Sequence, residues 1–383
     1  MAKKPLSIAL LGFGTVGGGV YELVQKRPDM EISYVLSRRP RPELCCPVTS
    51  VFDDILRNPD VDVVVEAMGG LSPAYEYVKA SLEAGKHVVT ANKNLIAAYY
   101  RELVELAERK GVVLRCSAAV GGGIPWLPNL ERTLQQERIT RLSGIMNGTS
   151  NYILDQMHSL ELEFADALAA AKRLGYAEAD PSADLNGGDI RRKLVISANI
   201  AFGCVLQEED IAVAGIESLC GEDIQACSKM GRVCKMMACA RNFGDRVAAY
   251  IEPAFLDKQL PEASVPLNFN YISLTGEYIG KQSFYGQGAG RYPTAYNVLQ
   301  DCIGICKGQR GFYTDKLQDR PVDNSSVVRP YYVRTRQTDQ WLRERIVKIL
   351  DHGVILKPIS VEEMHNWARD RECFFAALRD SAK

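Results

Sequence analysis

Short apolar runs separated by amphipathic stretches set the pattern of the first third of the chain. Ser7–Leu11, Glu31–Leu36, Val61–Glu66, His87–Thr90 and Val112–Val120 are rich in Val, Ile and Leu, as strands buried on both faces of a parallel sheet are. Val20, Leu23 and Val24, and later the stretch Tyr75–Ala84, repeat apolar positions at helical spacing. Strand and helix in alternation predict a doubly wound α/β domain. After residue 125 the pattern changes. Arg138–Gly144 reads as a strand and Ile145–Tyr152 as a polar turn. Helices are predicted over Asn151–Leu160, Phe164–Leu174 and Ile190–Phe202, with Leu219–Ala240 amphipathic and mostly helical. Ala248–Pro253 and Asn270–Tyr278 alternate like strands of an antiparallel sheet with one open face. A return helix, Thr294–Cys306, follows. Beyond the linker Pro321–Ser326 the tail reads as strand Tyr331–Thr335, helix Trp341–His352, strand Val354–Ile359, helix Glu362–Arg369 and strand Glu372–Leu378.

These elements predict a Rossmann-type parallel sheet domain over 1–125, completed by the return helix within 288–320. An α+β substrate and dimerisation domain over 126–287 and a small C-terminal βα segment over 329–383 complete the expected α/β architecture. Composition narrows the function. The 383 residues are 46% hydrophobic and carry a net charge of -1, as expected of a globular protein with small-molecule partners and no nucleic acid. No apolar run reaches the roughly 20 residues of a membrane helix, and the chain enters a strand without a leader, so the expectation is a cytoplasmic protein with no membrane contact. The 11 cysteines lack paired CxxC spacing, which favours free thiols over disulfides or zinc.

The first candidate chemistry is Gly12-Phe13-Gly14-Thr15-Val16-Gly17, between the first strand and its helix. In a GxGxxG turn the first glycine permits the bend, the second lets backbone approach a pyrophosphate, and the third lets helix pack on strand. The helix N-terminus then offers free N–H groups to the phosphates. The second strand ends in Ser37-Arg38-Arg39, with no acid to hold a ribose 2′-hydroxyl. Arginine suits a 2′-phosphate, so Arg38 points to NADP, with NAD as the alternative. Lys93 follows a strand end, the edge at which open α/β sheets bind ligands. Gly121-Gly122-Gly123 exposes backbone that suits a nicotinamide ribose or a weakly held monovalent cation. A second glycine turn, Gly286–Gly290, precedes the return helix and places Gly288 as a further cofactor contact.

Gly175–Lys193 is the other candidate. Turn formers Pro181, Asn186, Gly187 and Gly188 separate the acids Glu178, Asp184 and Asp189 and open into an apolar helix. Asp189 and Lys193 stand four apart and share a helix face. An acid and an amine held together there can bind a polar substrate and move a proton.

Gly12–Gly17, Thr90-Ala-Asn-Lys93, Val120-Gly-Gly-Gly-Ile-Pro125, Asn147-Gly-Thr-Ser-Asn-Tyr152, Gly175–Lys193 and Gly286–Ala295 together resemble homoserine dehydrogenase, in order over about the first 320 residues. The resemblance implies NAD(P)-linked interconversion of L-aspartate 4-semialdehyde and L-homoserine, on the route to threonine, methionine and isoleucine, by a homodimer or homotetramer. It implies Lys193 as proton donor with Asp189, Lys93 as a second lysine of the chemistry and a cofactor contact, and Glu178, Asp184, Asp189 and Thr149 as substrate ligands. Phe13, Thr15, Val16, Gly175 and Gly288 match cofactor contacts. The carbonyls of Val120, Gly122 and Ile124 match a site for sodium or potassium, although Ser117 replaces the family's glutamate ligand. Residues 329–383 resemble a shortened ACT-type domain that lacks a strand, and a role in assembly rather than threonine sensing is expected. A related NADP-linked oxidoreductase of another small amino or hydroxy acid, or an inactive NADP-binding regulator, are the rival readings. The three acids favour an ammonium-bearing substrate, and a regulator has no need of Lys93, Asp189 and Lys193 together.

Overall fold

The computed structural model describes residues 4–311 and 317–380, in two compact units. One unit comprises residues 4–136, 199–205, 287–311 and 317–318; the other comprises 137–198, 206–286 and 319–380.

In the first unit the five apolar runs become β1 (Leu6–Leu11), β2 (Met30–Leu36), β4 (Val63–Glu66), β5 (His87–Thr90) and β6 (Leu114–Arg115), and a two-residue strand that was not expected, β3 (Val48–Thr49), joins them. Their order is β3-β2-β1-β4-β5-β6, and every neighbouring pair is parallel. The order reverses between β1 and β4, which opens a crevice at the carboxyl ends of the strands. Ile8, Leu10, Val63, Val65 and Val89 of the sheet pack with Val20 and Val24 of the helix Thr15–Val24 and with Ala295 and Val298 of the return helix, Arg291–Cys306. A Cβ on Gly19 would lie 3.0 Å from that of Ala295, so glycine is what lets these two helices approach. The strand expected over Val112–Val120 is cut short. Ser117 donates its backbone N–H (2.8 Å) and its hydroxyl (2.6 Å) to the buried Asp301 carboxylate, and Ser117–Ala119 turns into a 3-10 helix.

The second unit is built on one mixed sheet of β7 (Ile139–Ile145), β8 (Ala212–Val213), β9 (Arg232–Asn242), β10 (Val247–Asp257), β11 (Phe269–Gly276), β12 (Gly280–Gln287), β13 (Val328–Thr335), β14 (Ile346–Leu350), β15 (Gly353–Ser360) and β16 (Cys373–Arg379). The order is β12-β11-β7-β9-β10-β16-β13-β15-β14, with β8 against β10. Three expectations are corrected. The stretch 219–240 is a short helix, Gly221–Lys229, then the strand β9; Gly231 at φ 69° ends the helix, and the apolar run Val233–Ala240 is one whose periodicity does not separate helix from strand. The strand β10 is buried on both faces rather than open on one. The helix expected over Trp341–His352 is a single turn, Gln340–Arg343, followed by β14. There Leu350 pairs with Gly353 across Asp351-His352, a tight hairpin that Gly353 permits at φ 107°.

The tail carries four strands rather than the expected three. It has no open side toward the rest of the unit, because β16 pairs in parallel with β10 through Ala254↔Ala377 and Leu256↔Arg379. Tyr331, Val333, Trp367 and Phe375 share one core with Ile145, Met237 and Ala254. No described helix is long and apolar enough to cross a membrane. All 11 cysteines are free.

Candidate active site

The glycine turn after β1 is shaped by two contacts. Gly12 sits at φ 93°, which favours glycine. A Cβ on Gly17 would lie 2.2 Å from the Gly12 carbonyl oxygen, so any side chain there would push the helix off the strand. Thr15 and Val16 form the first turn of that helix, with Thr15 exposed. Beside the turn lies a cavity of about 540 Å3, lined by Gly12, Phe13, Gly14, Arg38, Arg39 and Arg41 among others. Three arginines around one cavity can bind phosphate groups. Arg41, which sequence reasoning passed over, lies over the Phe13 ring at 5.2 Å and donates to the Phe13 carbonyl at 3.3 Å. Its signal was the Arg38-Arg39-Pro-Arg41 run itself. Glu66 was also missed. It is fully buried at the end of β4 and accepts the Met68 (2.8 Å) and Gly69 (3.2 Å) N–H groups and the Thr90 hydroxyl, which ties the cavity's wall to β5.

Lys93 is the first residue of the helix Lys93–Lys110, whose cap, Asn92, accepts the Leu95 N–H at 3.2 Å and donates to the Gly70 carbonyl at 2.6 Å. The second glycine turn meets the triple glycine: a Cβ on Gly122, at φ 55°, would lie 2.6 Å from the Gly288 carbonyl carbon. The cation reading fits poorly here. Asn297 donates its side-chain amide to the carbonyls of both Gly122 and Ile124, so a donor points where a cation would need two acceptors. Ser117 is committed to Asp301. Among the described residues no group of three or more His, Cys, Asp or Glu could hold a metal ion.

The second cluster is buried. The helix Gly188–Phe202 places Asp189 and Lys193 on one face, and Lys193 Nζ donates to Asp189 Oδ2 at 2.7 Å and to the Met146 carbonyl at 2.6 Å. Each is 7% exposed, so this is no solvated surface pair. Asn147 joins it to a second acid by donating its side-chain amide to Asp189 Oδ2 (2.9 Å) and Asp184 Oδ1 (2.6 Å). Asn147 also caps the helix Gly148–Ser159. The sequence showed Asn147 in a polar turn and in one motif of the resemblance, with no role of its own. Burial pushes the Asp184 carboxyl above its usual range, and the charge of Asp189 adds to that. Thr149 donates to the Tyr176 carbonyl at 2.6 Å and so anchors the loop that leads to Asp184. Gly175, at φ 73°, ends the helix Phe164–Arg173, and both it and Glu178 are exposed on that loop. A buried ammonium beside two carboxylates and an amide can hold a small zwitterion and pass a proton to an oxygen.

Comparison with known proteins identifies the family. A family model for homoserine dehydrogenase matches residues 125–303, and one for its NAD-binding domain matches residues 12–116. The chain is 40% identical over 393 residues to a homoserine dehydrogenase of Corynebacterium glutamicum, covering 95% of this chain and 87% of that one. This chain belongs to the homoserine dehydrogenase family. A homoserine dehydrogenase of Pseudomonas aeruginosa is 35% identical over 385 residues, covering 94% of this chain and 89% of that one. The crystal structure of a homoserine dehydrogenase from Thiobacillus denitrificans is 32% identical, with a TM-score of 0.89 over 98% of this chain and 99% of that one. The architecture described above, a parallel NAD-binding sheet plus a mixed sheet, is thus that of homoserine dehydrogenases, and such enzymes are oxidoreductases acting on a CH–OH group.

Proposed function

We propose that this chain catalyses the reversible, NADPH-dependent reduction of L-aspartate 4-semialdehyde to L-homoserine, a step of amino-acid biosynthesis. The observation that carries the reading is the buried Lys193–Asp189 pair, bridged by Asn147 to Asp184. Two of the Lys193 ammonium's three donors bond Asp189 and Met146, which leaves the third for a substrate oxygen. Asp189 holds the ammonium in place, and Asp184 with Asn147 offers acceptors to the substrate's amino end. Bound NADPH supplies the hydride for the aldehyde carbon. Lys193 gives its proton to the oxygen that becomes the hydroxyl, and in the reverse direction takes it back. Lys93 is assigned to the chemistry by the resemblance.

The preference for NADP rests on Arg38, Arg39 and Arg41 around the cavity and on the lack of an acid at the end of β2. No metal step is invoked, because the carbonyls of Gly122 and Ile124 already accept from Asn297. The test is an assay of the purified protein. NADPH should be consumed with aspartate semialdehyde, and NADP reduced with homoserine more efficiently than NAD. Turnover of neither substrate would refute the reading. Equal use of NAD would refute the cofactor part alone.

A further inference from the structure

A second lysine of the same unit is more deeply buried than Lys193. Lys235, in β9, is 1% exposed. Its ammonium donates to Asn151 Oδ1 at 2.9 Å and to the Val265 carbonyl at 2.7 Å, both neutral acceptors. Asp155, whose charge acts on it, instead accepts the Leu267 N–H at 3.0 Å. A buried ammonium without a bonded carboxylate is a costly thing for a fold to keep. Burial lowers the pKa of Lys235 to about 8. Around it stand Asp155 and His158 from the helix Gly148–Ser159 and Cys234 from its own strand. His158 accepts the Cys234 N–H at 2.8 Å and is held to a pKa of about 4, by burial first and then by Lys235. Neither the fold nor the proton transfer accounts for this lysine.

Its contacts lead to the substrate cluster. By accepting from Lys235, the Asn151 carbonyl oxygen fixes which way the amide points, and Asn151 Nδ2 then donates to the carbonyls of Leu267 (2.8 Å), Val265 (3.3 Å) and Phe269 (3.3 Å). This draws in the loop 265–269, in which Leu267 takes φ 49°. The loop in turn abuts the start of the helix that carries Asn151: a Cβ on Gly148 would lie 2.6 Å from the Asn268 carbonyl oxygen. Asn147, the cap of that helix, holds Asp184 and Asp189.

We propose that Lys235 is a positioning residue for the substrate pocket, its ammonium orienting Asn151 so that the loop 265–269 seats the helix start and its cap, Asn147, against Asp184 and Asp189. The inference rests on the assignment of that cluster to the substrate. A positioning lysine of this kind acts on substrate geometry and leaves cofactor binding alone. A lysine that merely fills the core acts on stability alone.

The experiment compares Lys235→Met and Lys235→Gln with the native enzyme and with Lys193→Ala, measuring kcat, the KM for aspartate semialdehyde, the Kd for NADPH and the melting temperature. The methionine variant is expected to raise the semialdehyde KM or lower kcat by about tenfold, since small misplacements of binding groups act at that scale. Its NADPH affinity should be unchanged. Glutamine, a neutral donor on a shorter stem, should recover part of the loss. Wild-type kinetics for the methionine variant overturn the proposal, whatever the melting temperature does. A parallel loss of NADPH affinity also overturns it, since that marks general loosening. If the methionine variant does not fold, the glutamine variant decides: a raised semialdehyde KM supports the proposal and a native one overturns it. Lys193→Ala separates the two failures. If it loses turnover while Lys235→Met does not, the pocket assignment stands and only the positioning role falls; if it keeps turnover, the pocket assignment itself is wrong.

Discussion

The cavity proposed for the cofactor and the cluster proposed for the substrate are built in opposite ways. In the glycine turn beside the cavity the essential feature is what is missing: Gly12 and Gly17 have no Cβ, and the backbone closes up where side chains would collide. Under the proposed function the cavity's specificity would come from Arg38 and Arg39, both exposed, and from Arg41, which also lines it. In the substrate cluster everything depends on side chains, and Asp189, Lys193 and Asn147 are all buried. An open site of backbone and exposed arginines can grip a large, highly charged dinucleotide in high dielectric. A small substrate with little surface needs desolvated charges, where each contact is worth more. One region should therefore fail by sterics and the other by electrostatics.

The largest expected effect comes from the tail. Deleting residues 327–380 and beyond would strip Tyr331, Val333 and Phe375 from the core shared with β7, β9 and β10 and leave β10 without β16. Semialdehyde reduction should vanish, measured as NADPH oxidation by the truncated protein. A truncated enzyme with native turnover would show that the substrate unit does not need these strands. Next is Gly122→Ala, which must relieve a 2.6 Å approach to Gly288 at a φ that disfavours alanine. About 1–3 kcal/mol of stability should be lost, read from denaturant unfolding, with a weaker NADPH complex. Third, Arg38→Ala should raise the KM for NADPH about tenfold and that for NADH little, because only NADPH carries the 2′-phosphate. Equal effects on both cofactors would move the role to Arg39 or Arg41.

The smallest effect is also the most diagnostic of burial. The Asp184 carboxyl is pushed up by desolvation, so the folded state holds its proton more tightly than the unfolded chain does. Stability from this group is therefore gained as pH falls through the raised value. At neutral pH the buried charge is a cost. Asp184→Asn should accordingly raise the melting temperature at pH 7 by a small amount while weakening substrate binding, and the gain should shrink toward acid pH. A gain that stays constant down to pH 4 would place its origin elsewhere.

How far each region could be read from sequence follows from the same contrast. The glycine turns are contiguous, so Gly12–Gly17 and Gly286–Gly290 announce themselves as strings. The Asp189–Lys193 pair was legible because four residues of helix place both on one face. Asn147 was not, since its link to Asp184 and Asp189 spans 37 and 42 residues and no local pattern encodes it. Glu66 was hidden for the same reason: an acid at a strand end is unremarkable until its carboxylate is found holding a turn. In the tail, Ile346–Leu350 satisfies helical and strand patterns alike, and only the pairing with β15 decides between them.

The account turns on Lys193 as the proton donor, and turnover of Lys193→Ala tests it most directly. Steady-state NADPH oxidation with saturating aspartate semialdehyde should fall by about 10²-fold or more, the scale of a lost general acid. Binding of NADPH, followed in the same preparation by fluorescence titration, should be unchanged. Near-native turnover with a folded, NADPH-binding protein would contradict the account and leave the buried pair with a structural role alone.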